Sequence, residues 1–323
     1  MAVYTKLHIH QLEELLKLYD IGSLITYNGI TEGIENSNFF IETTQGKFIL
    51  TIFENRVNKK EIPFFLGIMS YLSQKRFLCP KPIIDLKNNY IHELSGKPCI
   101  IVNFLEGKSK TNINPEDCFK VGSYMGYMHN QSKDFSLERQ NSLSISGWKE
   151  LIEKCDISIS ENSLANFGQN LIGEIKETFN YCEKNWPTYL PKGFIHADMF
   201  PDNVFFLNNS ISGIIDFYFG CTDILAYDVA VAVNAWCFND ENVFNKDRYN
   251  SLLNGYNSQR KLSKDEILHL PLLSKAASMR FLLTRLYDWV NTPDNADVIP
   301  KDPYEYIVKL RYFKETLRKN NNE

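Results

Sequence analysis

The run Phe194-Ile195-His196-Ala197-Asp198-Met199-Phe200-Pro201-Asp202-Asn203-Val204-Phe205-Phe206 is the most polar-dense stretch of the chain, and Ile215-Asp216-Phe217 follows it, with Asp216 thirteen residues after Asn203. As spacing this is His-x-Asp-x-x-x-x-Asn with a second Asp further on. Phosphoryl transfer to a hydroxyl needs a carboxylate to accept the hydroxyl proton and oxygen ligands to hold magnesium against the phosphates, because positioning and charge neutralisation supply most of the catalysis. Asp198 suits the first task, and Asn203 and Asp216 the second. Asp and Asn also cap turns, and His-x-Asp arises by chance; here the spacing, the flanking strands and the second Asp agree. Asp223 and Asp228 stand where an apolar helix begins, a position that favours carboxylates. A structural role is expected for both, with bracing of the catalytic loop a second use for Asp228.

These residues need elements to hold them. Residues 204–207 and 211–217 read as a hairpin around Asn208-Asn209-Ser210, set between helices. Before it, a short amphipathic helix is followed by strands at 24–30, 37–43 and 47–53, the last two joined through Thr44-Gln45-Gly46. A helix over 57–76 carries Ile62, Phe65, Leu66, Met69 and Leu72 at helical spacing, with Pro63 in its first turn. Strands at 90–94 and 98–104 complete a strand-rich lobe, 1–104, ending at Leu105-Glu106-Gly107-Lys108. Asn114-Pro115 then opens a helix to about 132, in which Gly122 and Gly126 permit close approach. Further helices are expected at 162–184, 225–238, 242–256, 272–290 and 303–318, the last capped by Asp302 with Pro303 at its first position. The expectation is an α+β, two-lobed architecture: an antiparallel-sheet N-lobe, a mainly helical C-lobe over 105–323, and a cleft between them.

Composition bounds the function. Of 323 residues, 44% are hydrophobic and 23% charged, enough apolar surface to exclude intrinsic disorder. The net charge of −4 offers no basic field for nucleic acid. Seven cysteines, an odd number with no Cys-x-x-Cys pair, point to reduced thiols rather than a disulfide framework or thiolate zinc site. No basic stretch leads into an apolar run and no apolar run approaches membrane-spanning length, so a soluble, cytoplasmic protein is expected. Gly-x-Gly-x-x-Gly, the P-loop and Gly-x-Ser-x-Gly are all missing.

The His196, Asp198, Asn203 and Asp216 pattern resembles the aminoglycoside phosphotransferase and choline kinase superfamily, two-lobed relatives of the protein kinases. Residues 32–40, 92–98, 196–206, 215–219, 227–237 and 280–288 further resemble its homoserine kinase branch, so the likeness spans nearly the whole chain. It implies ATP- and Mg2+-dependent phosphorylation of the side-chain hydroxyl of L-homoserine for threonine biosynthesis. By position it makes Asp198 the general base, His196 a brace for the loop, and Asn203 and Asp216 the magnesium ligands. Glu35, Asn36, Ser37 and Asn38 match the loop over the nucleotide phosphates, and Asn103 belongs to the hinge, 102–107, against which adenine would lie.

One position departs from the wider superfamily. Where those kinases place a phosphate-gripping lysine this chain has Thr51, and Lys47, of the same strand parity, is displaced by roughly 13 Å of extended chain. Arg56, Lys59 and Lys60 are candidate substitutes, against the plainer reading of a solvated charged face. For the acceptor, a zwitterionic amino acid calls for a guanidinium and a carboxylate near the base. Arg280, Arg285 and Asp288 offer that mixture on one helix, and Asp202 and Tyr218 flank the catalytic elements. The competing readings are a kinase for choline or an aminoglycoside, with Trp236 and Trp289 as aromatic-cage candidates, and a nucleotide-binding pseudokinase suggested by Thr51. The expected partner is a small-molecule substrate, with no nucleic acid and no membrane.

Overall fold

The computed structural model describes residues 5–30, 36–54, 58–162, 170–292 and 300–320. The alternating strands form one antiparallel sheet in the order β1 (Leu24–Ile30), β2 (Asn36–Thr43), β3 (Gly46–Phe53), β5 (Lys97–Asn103), β4 (His92–Leu94). Strand parity assigns its faces. Phe39, Ile41, Phe48, Leu50, Ile52, Cys99 and Ile101 cluster with Leu12, Leu15 and Leu16 of helix α1 (Ile9–Leu16). The opposite parity carries Asn38 and Thr51, which the register sets side by side, with Ile100 beyond Thr51. Helix α2 (Ile62–Gln74) begins after a short 3-10 turn, Lys59–Glu61, and takes Pro63 in its first turn, where a missing N–H costs nothing.

The chain divides into two compact units. The first comprises residues up to Lys108 together with Phe135–Leu137 and Phe205–Tyr218; the second holds the remainder. The hairpin of β7 (Val204–Leu207) and β8 (Ser210–Ile214) falls with the first because Lys108 and Phe206 exchange backbone hydrogen bonds of 3.1 and 2.8 Å and the Ile214 N–H donates to Leu78 at 3.0 Å. Asn208 and Asn209 turn the hairpin with φ of 49° and 63°, which asparagine tolerates better than most residues.

In the second unit, α3 (Pro115–Gln131), α6 (Leu225–Trp236), α7 (Lys246–Gln259) and α9 (Tyr304–Asn320) follow the expected pattern with small shifts of boundary, while α8 (Lys264–Asn291) is corrected: it starts eight residues before the expected 272, at the Ser263 capping box, and carries Pro271 inside it. Asn114 caps α3, and the Tyr304 N–H donates to Asp302 at 2.8 Å where α9 begins. The helix expected at 162–184 is corrected: α4 occupies Ile145–Asn162 and α5 Leu171–Asn185. The buried described residues of α4 are Trp148, Ile152 and Cys155, at i, i+4 and i+7, a helical period that the sequence carries and the expectation of a helix at 162–184 passes over. Strands β6 (Lys192–Ile195) and β9 (Cys221–Ile224) pair antiparallel across the intervening hairpin.

Helices α3 and α7 meet backbone to backbone. A Cβ on Gly122 would lie 2.0 Å from the Leu252 carbonyl oxygen, and one on Gly255 1.9 Å from that of Phe119. Gly122→Ala is therefore expected to cost about 1–3 kcal/mol by overpacking, read as a lower urea midpoint. An unchanged midpoint would mean that α7 can move aside freely.

Candidate active site

The candidate residues divide between the units. In the second, residues 196–203 connect β6 to β7. Asp228, in the first turn of α6, is fully buried and accepts the His196 N–H on Oδ2 at 3.0 Å and the Ala197 N–H on Oδ1 at 2.7 Å. Its Oδ2 also lies 3.0 Å from Nε2 of His129 on α3. Burial opposes the charge on Asp228, but the His129 hydrogen bond, the neighbouring imidazoles and the His196 N–H outweigh it and hold the carboxyl below its ordinary range. Ala197 sits between these contacts at φ 60°, in the left-handed region that a residue with a Cβ occupies at a cost. Its carbonyl is held by Nη1 of Arg280. Both ends of its backbone are thus fixed, which orients the next residue, Asp198.

Asp198 and Asn203 are brought together. The Asn203 Nδ2 donates to the Asp198 carbonyl at 2.8 Å and to its Oδ2 at 3.0 Å. Both bonds fall to the amide nitrogen, leaving Oδ1 as the atom a hard cation would use. His196 is fully buried under the loop. Asp202, by contrast, is an exposed side chain 3.5 Å from Lys301.

The three α8 residues have different surroundings. Arg280 is 2% exposed, holds Ala197 and lies with its Cζ 4.4 Å from the Phe281 ring centroid. Arg285 donates to the Asp302 carbonyl at 3.0 Å and to Glu305 Oε2 at 2.5 Å, over the ring of Tyr306. Asp288 is partly buried beside Cys155, where burial and then the Asp288 charge push that thiol up to about 12. Arg280 and Arg285 therefore face different partners along the same helix.

In the first unit, Asp216 follows β8 with φ 62°, a second strained non-glycine residue among the candidates. Tyr218 packs edge-on against Phe53 and Phe65 at 5.2 and 5.7 Å. Burial raises its phenol strongly and a hydrogen bond with Thr51 opposes this. The Thr51 hydroxyl donates to Asn38 Oδ1 at 2.8 Å, so a neutral hydroxyl, amide and phenol meet at this position of β3. Asn36 accepts the Glu54 N–H at 3.4 Å. Ser37 is fully buried on the α1 face, bonded to Glu54 at 2.6 Å and accepting the Thr5 N–H at 3.1 Å. Asn103 accepts the Lys81 N–H and donates to the Phe104 carbonyl at 3.2 Å. Glu35 and Arg56 lie outside the described residues, and Lys59 and Lys60 are exposed on their short turn.

Sequence reasoning takes His129 for a packed or capping histidine, and buried it is, but it does not connect His129 or Tyr256, which lie 99 and 28 positions away, to Asp228. No local pattern joins them; the Gly122, Gly126 and Gly255 set, which lets α3 and α7 touch, was the available signal.

Known proteins resolve what such a loop belongs to. Residues 26–262 match the phosphotransferase enzyme family. The homoserine kinase of Brucella anthropi is 46% identical over 315 residues, covering 98% of this chain and 95% of that protein. The chain belongs to the homoserine kinase family. A second member, the homoserine kinase of Agrobacterium fabrum, is also 46% identical over 97% of this chain and 96% of its own length. Among solved structures, an amicoumacin kinase in complex with AMP-PNP, Ca2+ and Ami superposes with a TM-score of 0.70 at 15% identity, covering 96% of this chain and 92% of that one. The fold is that of the protein-kinase-like phosphotransferases, with an antiparallel sheet followed by helices.

The donor set suits Mg2+ better than a softer metal. Among the described residues no group of three or more His, Cys, Asp or Glu could hold an ion. Asn203 and Asp216 each carry oxygen donors, the type that suits Mg2+ rather than a softer metal. No helix among the described residues is long and apolar enough to cross a membrane.

Proposed function

We propose that this chain transfers the γ-phosphoryl group of ATP to the side-chain hydroxyl of L-homoserine, giving O-phospho-L-homoserine and ADP as a step of threonine biosynthesis. The observation that carries the reading is the Asp198–Asn203 pair, held on a braced loop in a chain 46% identical to homoserine kinases. Asp198 takes the hydroxyl proton as the acceptor oxygen forms its bond to phosphorus and the bond to the ADP oxygen breaks. Asn203 Oδ1 and Asp216 hold Mg2+, whose chemistry is neutralisation of phosphate charge. His196 keeps its role as a brace from inside the loop.

In this reading the strand-rich lobe takes the nucleotide, with the Glu35–Asn38 segment over the phosphates and Asn103 at the adenine hinge. Ser37 contributes through its backbone, since its hydroxyl is already engaged. The helical lobe takes the acceptor, with Arg285 addressing its carboxylate and Asp288 its ammonium. Arg280 acts through Ala197. Asp202 and Tyr218 border the catalytic elements. Seven free, buried cysteines fit a reducing cytoplasm.

The test is ADP release by the purified protein with Mg2+ and ATP, comparing L-homoserine, choline, an aminoglycoside and no acceptor. Homoserine-dependent turnover is expected. Turnover confined to another acceptor would overturn the substrate, and ATP binding without turnover would make the chain a pseudokinase. The Mg2+ assignment predicts that EDTA abolishes turnover and added Mg2+ restores it.

A further inference from the structure

Asp228 is the visible end of a longer line of buried polar groups. On the far side of His129, Nδ1 lies 2.8 Å from the Tyr256 hydroxyl. Arg260 Nη1 donates to that hydroxyl at 3.0 Å and to Glu266 Oε1 at 2.8 Å. Glu266 is itself fixed, because its Oε2 accepts the Ser263 N–H at 2.9 Å in the box that starts α8. His129, Tyr256, Asp228 and Glu266 are each at most 3% exposed.

The need to give the buried phenolic proton an acceptor sets the direction of each bond. Arg260 can only donate, so the Tyr256 oxygen accepts from it, and the single phenolic proton goes to Nδ1 of His129. Nδ1 then accepts, which places the ring proton on Nε2, facing the Asp228 carboxylate. Asp228 accepts the two loop N–H groups. The line ends on Ala197, whose carbonyl is taken by Arg280 from the same helix, α8, that supplies Glu266. The groups form a closed ring around the one left-handed residue of the loop. The glycine contacts between α3 and α7 give this close approach a purpose: they bring Tyr256 under His129.

We infer that His129, Tyr256 and Arg260 are positioning residues for phosphoryl transfer, which fix Asp228 in the orientation that holds the backbone beside Asp198. The inference rests on Asp198 being the base, but the tautomer of His129 can be read without any turnover.

Wild type, Tyr256→Phe, His129→Gln and His129→Leu separate positioning from mere packing. Tyr256→Phe removes one hydroxyl. It is expected to lower kcat about 3- to 10-fold, one hydrogen bond's worth, while KM for ATP and homoserine stays within about twofold. His129→Gln keeps an N–H that can reach Asp228 and should retain about fivefold or more of the kcat of His129→Leu, at comparable thermal stability. In 15N spectra of histidine-labelled protein, His129 should be a single Nε2–H tautomer in wild type and a mixture in Tyr256→Phe. A wild-type Nδ1–H tautomer, wild-type kcat in Tyr256→Phe, or equal activity of the Gln and Leu variants would overturn the inference. Should wild type fail to turn over homoserine, the proposed function falls, while the tautomer and its loss in Tyr256→Phe still decide whether Tyr256 and His129 fix Asp228.

Discussion

Asp198→Asn is expected to lower kcat by about 10²- to 10⁴-fold, the usual worth of a positioned general base, with KM for ATP within about twofold of wild type. The substitution is close to isosteric and keeps an oxygen to receive the Asn203 amide, which now bonds to both the carbonyl and the carboxylate of Asp198. What it removes is the capacity to take a proton from the acceptor hydroxyl. The readout is steady-state ADP release, with the urea midpoint as the control for folding. A folded variant retaining more than about a tenth of wild-type kcat would take Asp198 out of the role of base.

Removing Asp228 should act on stability as well as rate. Asp228→Ala leaves two loop N–H groups and the His129 ring without their buried acceptor. Leaving buried hydrogen-bond donors without an acceptor typically costs about 1–3 kcal/mol each, and Ala197 then loses one of the contacts that hold it at φ 60°. Asp228→Asn, which keeps one acceptor oxygen, should lose less. The pH dependence has a definite sign. Because the folded carboxyl is held below its ordinary value, the stability it contributes is fully present above the unfolded value of about 4 and is lost as pH falls through the lower folded value. Urea midpoints measured between about pH 5 and pH 3 should therefore fall more steeply in wild type than in Asp228→Asn. Parallel slopes would show that Asp228 is not the group responsible.

The sheet and the geometry of the 196–203 loop could be read from the residues because their signals are local. Runs of β-branched and aromatic residues mark β2 and β3, and Asp198 stands five positions from the Asn203 that it contacts. Contacts between distant positions carried no such mark. The β6–β9 pair joins Ile195 to Cys221 through two short runs, each too brief to announce a strand. Arg280 reads as a guanidinium for the acceptor, yet it is buried with Nη1 on the Ala197 carbonyl, a contact between positions 83 apart that no local pattern marks. Ser37 reads by its motif as part of a turn, but it lies in β2, where strand parity sets its side chain on the α1 face. Thr51 was recognised as a departure, while its engagement with Asn38 and Tyr218 needed coordinates.

The first compact unit is assembled from three separated stretches of chain, the last of them Phe205–Tyr218. During synthesis, its strands up to Lys108 leave the ribosome before the hairpin that pairs with Lys108 and Leu78 has been made. At roughly 5–20 residues per second, the 110 residues from Lys108 to Tyr218 (218 − 108 = 110) impose a wait of about 5–20 s. Throughout that interval the unit exists without its final strands, so a nascent chain stalled before residue 205 should be more open to protease at the edge around Leu78 and Lys108 than one stalled well after residue 218.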